Sequence, residues 1–134
     1  MTVFFVPGVP QPQGSKTGYV KGGRAVVVDK NPRLLKPWRV AVAEAARAAW
    51  EYREPLEGPV RVEAVFVLLR PKSVKRELPH VRPDVDKLAR AVLDGVSDAG
   101  NVWVDDAQVV QLDVSKRYGD VVGVRVTVTP AKHG

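Results

Sequence analysis

From Val60 to Leu69 every second residue is apolar, and from Ala64 onward every residue is. A period of two marks a strand, because successive side chains point to opposite faces of a sheet. Val60, Val62, Ala64, Phe66 and Leu68 share one face, while Arg61 and Glu63 occupy the other. Val65, Val67 and Leu69 make the second half apolar on both faces, as in a central strand covered on both sides. Such a segment demands neighbouring strands and a covering layer.

The rest of the chain supplies both. Residues 3–6 read as a short first strand and Ala25–Val28 as another. Residues 7–24 between them are rich in Pro, Gly, Gln and Lys and read as a long loop, a feature more often functional than idle in a compact domain. Asn31-Pro32 is a helix-start signal, with Pro37 one turn later. Trp38, Ala41, Val42, Ala45, Ala48, Ala49 and Tyr52 recur at helical spacing. That predicts a helix to about Tyr52, anchored in the core by Trp38, before Pro55 and Gly58-Pro59 break it. Leu88, Val92 and Val96 predict a second helix from about Asp84 to Ser97, stopped at Gly100-Asn101. Residues 108–116 alternate, with Val110, Leu112 and Val114 against Gln111, Asp113 and Ser115. Val122, Val124, Val126 and Val128 alternate again after a turn at Tyr118–Asp120, and the two runs read as an antiparallel hairpin. The expected architecture is a single α+β domain over residues 1–134, a mainly antiparallel mixed sheet covered by two helices.

Lys and Arg number 21 against 15 Asp and Glu, a net charge of +6 that favours an anionic partner such as nucleic acid. The basic loop 70–83 carries Arg70, Lys72, Lys75, Arg76, His80 and Arg82. With Lys16, Lys21 and Arg24 it forms the candidate DNA surface, its contacts expected mainly at phosphates. A merely solvated loop is the plainer alternative. The absence of cysteine excludes disulfides, zinc–thiolate sites and a cysteine nucleophile. His80 and His133 are too few and too scattered for a histidine metal site. The N-terminus has no basic stretch before its apolar run, and no run approaches the roughly 20 apolar residues of a membrane helix. A soluble, cytoplasmic protein is expected.

Asp84 and Asp86 stand two apart at the mouth of the second helix. In an extended entry segment both carboxylates point to one side. Two carboxylates about 4 Å apart repel by about 4 kcal/mol at an effective dielectric near 20, so such pairs share a proton or flank a cation. Oxygen ligands alone select hard ions, Mg²⁺ or Mn²⁺ first. Asp at a helix start equally serves to cap free N–H groups. A second acidic pair, Asp105-Asp106, opens the strand at 108–116, where a solvent-facing turn would also tolerate Asp105. Asp86, Arg90 and Asp94 fall at i, i+4 and i+8. A surface ion-pair ladder accounts for that spacing. Alternatively, Arg90 sits beside a metal and holds phosphate; Asp94 is read as ladder only.

The runs Arg82-Pro83-Asp84-Val85-Asp86, then Leu88, then Ala91-Val92-Leu93-Asp94-Gly95, then Val102-Trp103-Val104-Asp105-Asp106-Ala107-Gln108-Val109-Val110 resemble the RusA family of Holliday junction resolvases. The family pattern is approximately D-x-D-N-L-x-K, a helix, and W-x-D-D-x-Q-V. Pro7–Gly14 also looks like the family's N-terminal loop. The resemblance implies a metal-dependent endodeoxyribonuclease, using Mg²⁺ or Mn²⁺, in which Asp84, Asp86 and Asp106 coordinate the ion and Asp105 assists. It also implies a homodimer that nicks a four-way DNA junction in pairs, in recombination and repair. Lys87 stands where the family has Asn and joins the candidate DNA contacts. Arg90 stands where the family has its functional Lys. Two other functions fit parts of the pattern: a DNA-binding module without catalysis, and a metal-dependent phosphoesterase acting on small nucleotides.

Overall fold

The computed structural model describes residues 1–14, 16–29 and 32–131; over 16–21, 24–29 and at residue 32 the description is of the backbone alone. Asn31 and His133 lie outside the described residues. The elements are β1 (Thr2–Pro7), β2 (Lys16–Lys21), β3 (Arg24–Asp29), α1 (Pro32–Ala49), β4 (Val60–Leu68), α2 (Val85–Ala99), β5 (Val109–Tyr118) and β6 (Gly123–Pro130). Among the described residues no helix is long and apolar enough to cross a membrane.

Four strands form one sheet in the order β1-β6-β4-β5. β6 is antiparallel to both β1 and β4, whereas β4 and β5 are parallel. The α+β expectation of a mixed, mainly antiparallel sheet with two helices is met. The expected hairpin between β5 and β6 is not, because β4 lies between them. A parallel neighbour follows from the chain's path: β4, then α2, then β5 is a crossover unit. The link from β5 to β6 then has to clear two strand spacings, roughly 10 Å. Gly119–Val122 is long enough to do so, at about 3.3 Å per residue. It arches over the end of β4, where the Gly119 N–H donates to the Leu68 carbonyl at 3.0 Å.

The loop expected over residues 7–24 is shorter than that. Lys16–Lys21 pairs with Arg24–Asp29 as a separate two-stranded hairpin. Its turn is Gly22-Gly23, both with positive φ, the conformation a two-residue turn between twisted strands requires.

The core lies between the helices and one face of the sheet. Val60, Val62, Ala64 and Phe66 of β4 are fully buried there, with Val124, Val126 and Val128 of β6 beside them. On the opposite face Arg61 and Glu63 are exposed, Val65 is half-buried and only Val67, beside Gly119, is buried. Coverage on both sides of β4 therefore holds at its last turn of pleat and not before. α1 buries Leu35, Trp38, Val42, Ala43 and Ala46, and Trp50 is buried just after it. Trp38 is the core anchor expected. Tyr52 is not on the stripe: α1 ends at Ala49, and Tyr52 follows in a left-handed conformation (φ 65°), 98% exposed.

α2 contributes Leu88, Ala91, Val92, Val96 and Ala99 to the same core. Gly95 is what lets the two helices approach. A Cβ placed there would lie 2.7 Å from Val42 Cγ1 and 3.3 Å from the Arg39 carbonyl. Arg39 completes the contact by donating Nε and a terminal nitrogen to Asp98 Oδ2, at 3.1 and 2.8 Å. Gly95→Ala is expected to lower stability by about 1–3 kcal/mol despite alanine's better helix propensity, since overpacking outweighs it. Urea unfolding measures this, and Val42→Ala in the same chain should restore part of the loss. A stabilised G95A protein would contradict the packing.

Candidate functional site

With Leu88, Val92 and Val96 committed to the core, helical geometry turns Asp86, Arg90 and Asp94 onto the flank of α2 that faces β5. An open cavity of about 1100 Å³ separates that flank from β5. Its walls hold Asp86, Arg90, Leu93 and Asp94 from α2, Asp106, Leu112 and Val114 from the β5 side, and Gln13 and Gly14 from the N-terminal loop. A second cleft adjoins it, sharing Gln13 and Gly14, and is lined by Arg82, Asp84 and Lys87.

The structure thus brings Asp86 and Asp106 together across one cavity, with Arg90 between acids. It places Asp84 around the corner. The i, i+2 alternation expected for the two aspartates holds only in extended chain. Asp84 is extended (φ −71°, ψ 137°) but Asp86 is already in the first helical turn. Lys87 also draws Asp84 aside, at 3.5 Å. Asp84 makes no side-chain capping bond, so capping does not explain it.

No ladder runs along α2. Among the described residues Arg90 forms no ion pair within 4 Å, and the carboxylates of Asp86 and Asp94 are likewise without one. Asp94, read from spacing as a ladder member, is instead a half-buried acid of the cavity. Its position at i+8 from Asp86 is the signal that places it there, since both lie on one helix stripe.

Asp106 is presented by a short 3-10 turn, Asp106–Gln108, at the entrance to β5. Asp105 caps that turn by accepting from the Ala107 N–H at 3.0 Å. Gln108 clamps it. Its amide oxygen accepts from the N–H groups of Val104 and Asp105 at 2.8 and 3.0 Å, and its amide nitrogen donates to the carbonyls of Leu56 and Gly58 at 2.8 and 3.0 Å. All four bonding positions of the amide are used. Upstream, the buried Trp103 donates its indole N–H to Ser97 Oγ at 3.0 Å, tying the turn to the end of α2. The spacing Asp105-x-x-Gln108 is itself a capping-box signature in the sequence. The Asp106 carboxyl is held above its ordinary range. Partial desolvation is the largest cause, followed by a hydrogen bond with the Asp105 side chain and the negative charges of Asp105 and Asp94.

The entry to α2 is held from two sides. Lys116 of β5 donates Nζ to the carbonyls of Val81 and Pro83, at 2.6 and 2.8 Å. Lys116 falls in the same register as Leu112 and Val114, and a lysine on the apolar face of a strand is the sequence signal for such a role. From the other side the Gln13 N–H donates to the Lys87 carbonyl at 2.9 Å.

Of the basic candidates, Arg70, Lys72, Lys75 and Arg82 are exposed on the loop before α2. Arg76 is half-buried and donates to the Tyr118 hydroxyl at 3.1 Å, so part of its function is to hold the loop. Lys87 is engaged with Asp84. For Lys16, Lys21 and Arg24 only the strand backbone is described, and their side chains lie outside it.

As placed, no three acids among the described residues stand close enough together to hold an ion. The donor chemistry nevertheless suits a hard cation: oxygen atoms only, gathered from three segments around one opening. Asp86 and Asp106 are exposed. The Oε1 atom of Gln13 is buried in the wall with no hydrogen-bond partner.

Lys116→Met keeps the apolar stem but removes both bonds to the loop. It is expected to cost about 1–3 kcal/mol and to speed amide exchange over residues 81–86 while leaving α1 protected. Unchanged exchange there would show the clamp to be idle.

The family model for the endodeoxyribonuclease RusA matches residues 7–129. An uncharacterized protein, YqaN, from Bacillus subtilis (strain 168) is 30% identical, with 93% of each chain covered. The match spans the N-terminal loop, the entry to α2 and the turn carrying Asp106, and the chain belongs to the RusA family of Holliday junction-resolving endodeoxyribonucleases.

Proposed function

We propose that this protein resolves four-way DNA junctions by paired, metal-dependent nicks, in recombination and repair. The observation that carries the reading is the convergence of Asp86, Asp106 and an ion-pair-free Arg90 on one open cavity. Asp86 and Asp106 hold one or two Mg²⁺ ions, or Mn²⁺, with Asp84 swung across from Lys87 and Asp105 in support. Breaking the exposed Asp84–Lys87 pair costs only about 0.3–0.5 kcal/mol, well below what chelation of a hard cation returns. The bound ion supplies polarisation of a phosphate oxygen and a water of lowered pKa. Arg90 grips a non-bridging phosphate oxygen through its planar fork and orients the phosphodiester; arginine in place of lysine adds a second donor at the cost of reach. The breadth of the cavity suits a polymer backbone better than a small nucleotide, which a closed pocket would bind more fully. Arg70, Lys72, Lys75 and Arg82 take the flanking phosphates.

Paired nicks require two sites, so the working unit in this reading is a homodimer. Leu112 of edge strand β5 lines the cavity and is exposed, as is Val110 two residues before it, and both favour burial against another surface. The setting is the cytoplasm.

Asp84→Asn, Asp86→Asn and Asp106→Asn are each expected to abolish cleavage of a synthetic four-way junction in Mg²⁺ while junction binding persists. Linear duplex and a mononucleotide ester serve as competing substrates. Cleavage retained in the triple variant would reject the assignment of these acids, absence of cleavage by the native chain would leave a binding module as the reading, and turnover of the mononucleotide alone would favour the phosphoesterase. Reversing the charge of Lys72 and Lys75 should weaken junction binding and flatten its dependence on salt, since each lost phosphate contact lowers the slope by about one. An unchanged slope would remove this loop from the DNA surface.

A further inference from the structure

Gln13 sits where the N-terminal loop, α2 and both clefts meet. Its backbone is fixed by the bond to the Lys87 carbonyl, and its side chain lines the acidic cavity beside Asp86 and Arg90 as well as the cleft of Asp84. Among the described residues its Oε1 is buried without a partner. An orphaned acceptor of this kind is destabilising, and a bound ion or water or a catalytic role is what accounts for such groups in folded proteins. The ionised carboxylates of its cavity cannot donate to it, and among the described residues the Arg90 guanidinium of the same lining gives it no hydrogen bond. A neutral amide oxygen is a good ligand for a hard cation and for the water around it.

We propose that Gln13 is a further residue of the metal site, presenting its amide oxygen to the hydrated cation and so coupling the docked N-terminal loop to ion binding. This rests on the metal-dependent reading above. The test uses the full chain without DNA, with Mn²⁺ alone as the probe, and reads affinity by calorimetry and ion-free melting temperature by scanning calorimetry. Gln13→Met keeps the length and shape of the side chain. It is expected to weaken Mn²⁺ binding by about tenfold while leaving the ion-free melting temperature unchanged or raised, because a buried unpaired acceptor has been removed. Gln13→Glu should bind Mn²⁺ at least as tightly as the native chain. Gln11→Met is the control from the same loop, since Gln11 lines only the second cleft and donates to the Val9 carbonyl.

Native affinity in Gln13→Met, a fall in its ion-free melting temperature, or equal weakening in Gln13→Glu would each overturn the assignment. If the native chain binds Mn²⁺ and Asp86→Asn does not, the metal reading stands whatever Gln13 does. If the native chain does not bind Mn²⁺, both fall together.

Discussion

The packing of α2 against α1 governs what this molecule can do. Gly95 brings the helix axes close enough for Val42 to fill the gap, and Leu88, Val92 and Val96 complete the buried stripe. A helix pinned along one stripe has no rotational freedom left. The residues about half a turn away are then aimed by geometry alone. Asp86, Arg90 and Asp94 reach the cavity because each is four residues from the next and the three are offset from the core stripe. The chemistry of the site is thus a consequence of core packing on the opposite flank.

That aim creates an electrostatic cost. Asp86, Asp94 and Asp106 face the same opening, and the Asp106 carboxyl is held above its ordinary range, first by desolvation, then by the Asp105 side chain, and last by the charge of Asp94. Like charges gathered in a partly desolvated opening are destabilising unless a cation joins them. Arg90 offsets part of the charge at a distance but makes no ion pair with any of the acids. The fold therefore keeps the acids apart in the ion-free protein and leaves a field that favours a divalent ion. Proteins accept such local cost at functional sites when the rest of the structure over-determines the geometry. Here Gln108 and Lys116 do so, each with a side chain bonded to main-chain groups of a separate segment.

Much of this was legible in the residues. A short apolar run marked β1, period-two runs marked β4, β5 and β6, period-3.6 runs marked both helices, and Gly100 marked the end of α2, where it takes the left-handed conformation. Strand order was not legible, because alternation reports which face a residue occupies and says nothing of which strand lies beside it. The hairpin of β5 with β6 was the reasonable local choice, and a four-residue arch over β4 defeated it. The hairpin of β2 and β3 went unseen because Lys16–Lys21 lacks an apolar alternation, although Gly22-Gly23 announced its turn. At the site, acid spacing identified the two segments that meet. It misjudged Asp84 and Asp94 for one reason: a strand rule was applied across the start of a helix, and a surface ladder was assumed before the buried stripe had fixed which way the helix faced. Gln13 left no trace at the level of sequence, since an orphaned acceptor exists only once its surroundings do.

The Asp105-Asp106 pair shows why adjacent identical residues divide labour. Asp105 is the cap of the 3-10 turn, its backbone extended at φ −153° and one carboxylate oxygen spent on the Ala107 N–H. Asp106 is the first residue inside the turn, where no capping bond is available to its side chain and the carboxylate projects into the cavity. One residue of chain separates a carboxylate used for folding from one left for chemistry. The cap cannot be moved without turning Asp106, and the Gln108 amide that holds the cap is anchored to Leu56 and Gly58, ahead of β4. A run of acid, acid, any residue and glutamine is therefore a single mechanical unit, which is the physical reason that its spacing identifies a site more sharply than its charge does.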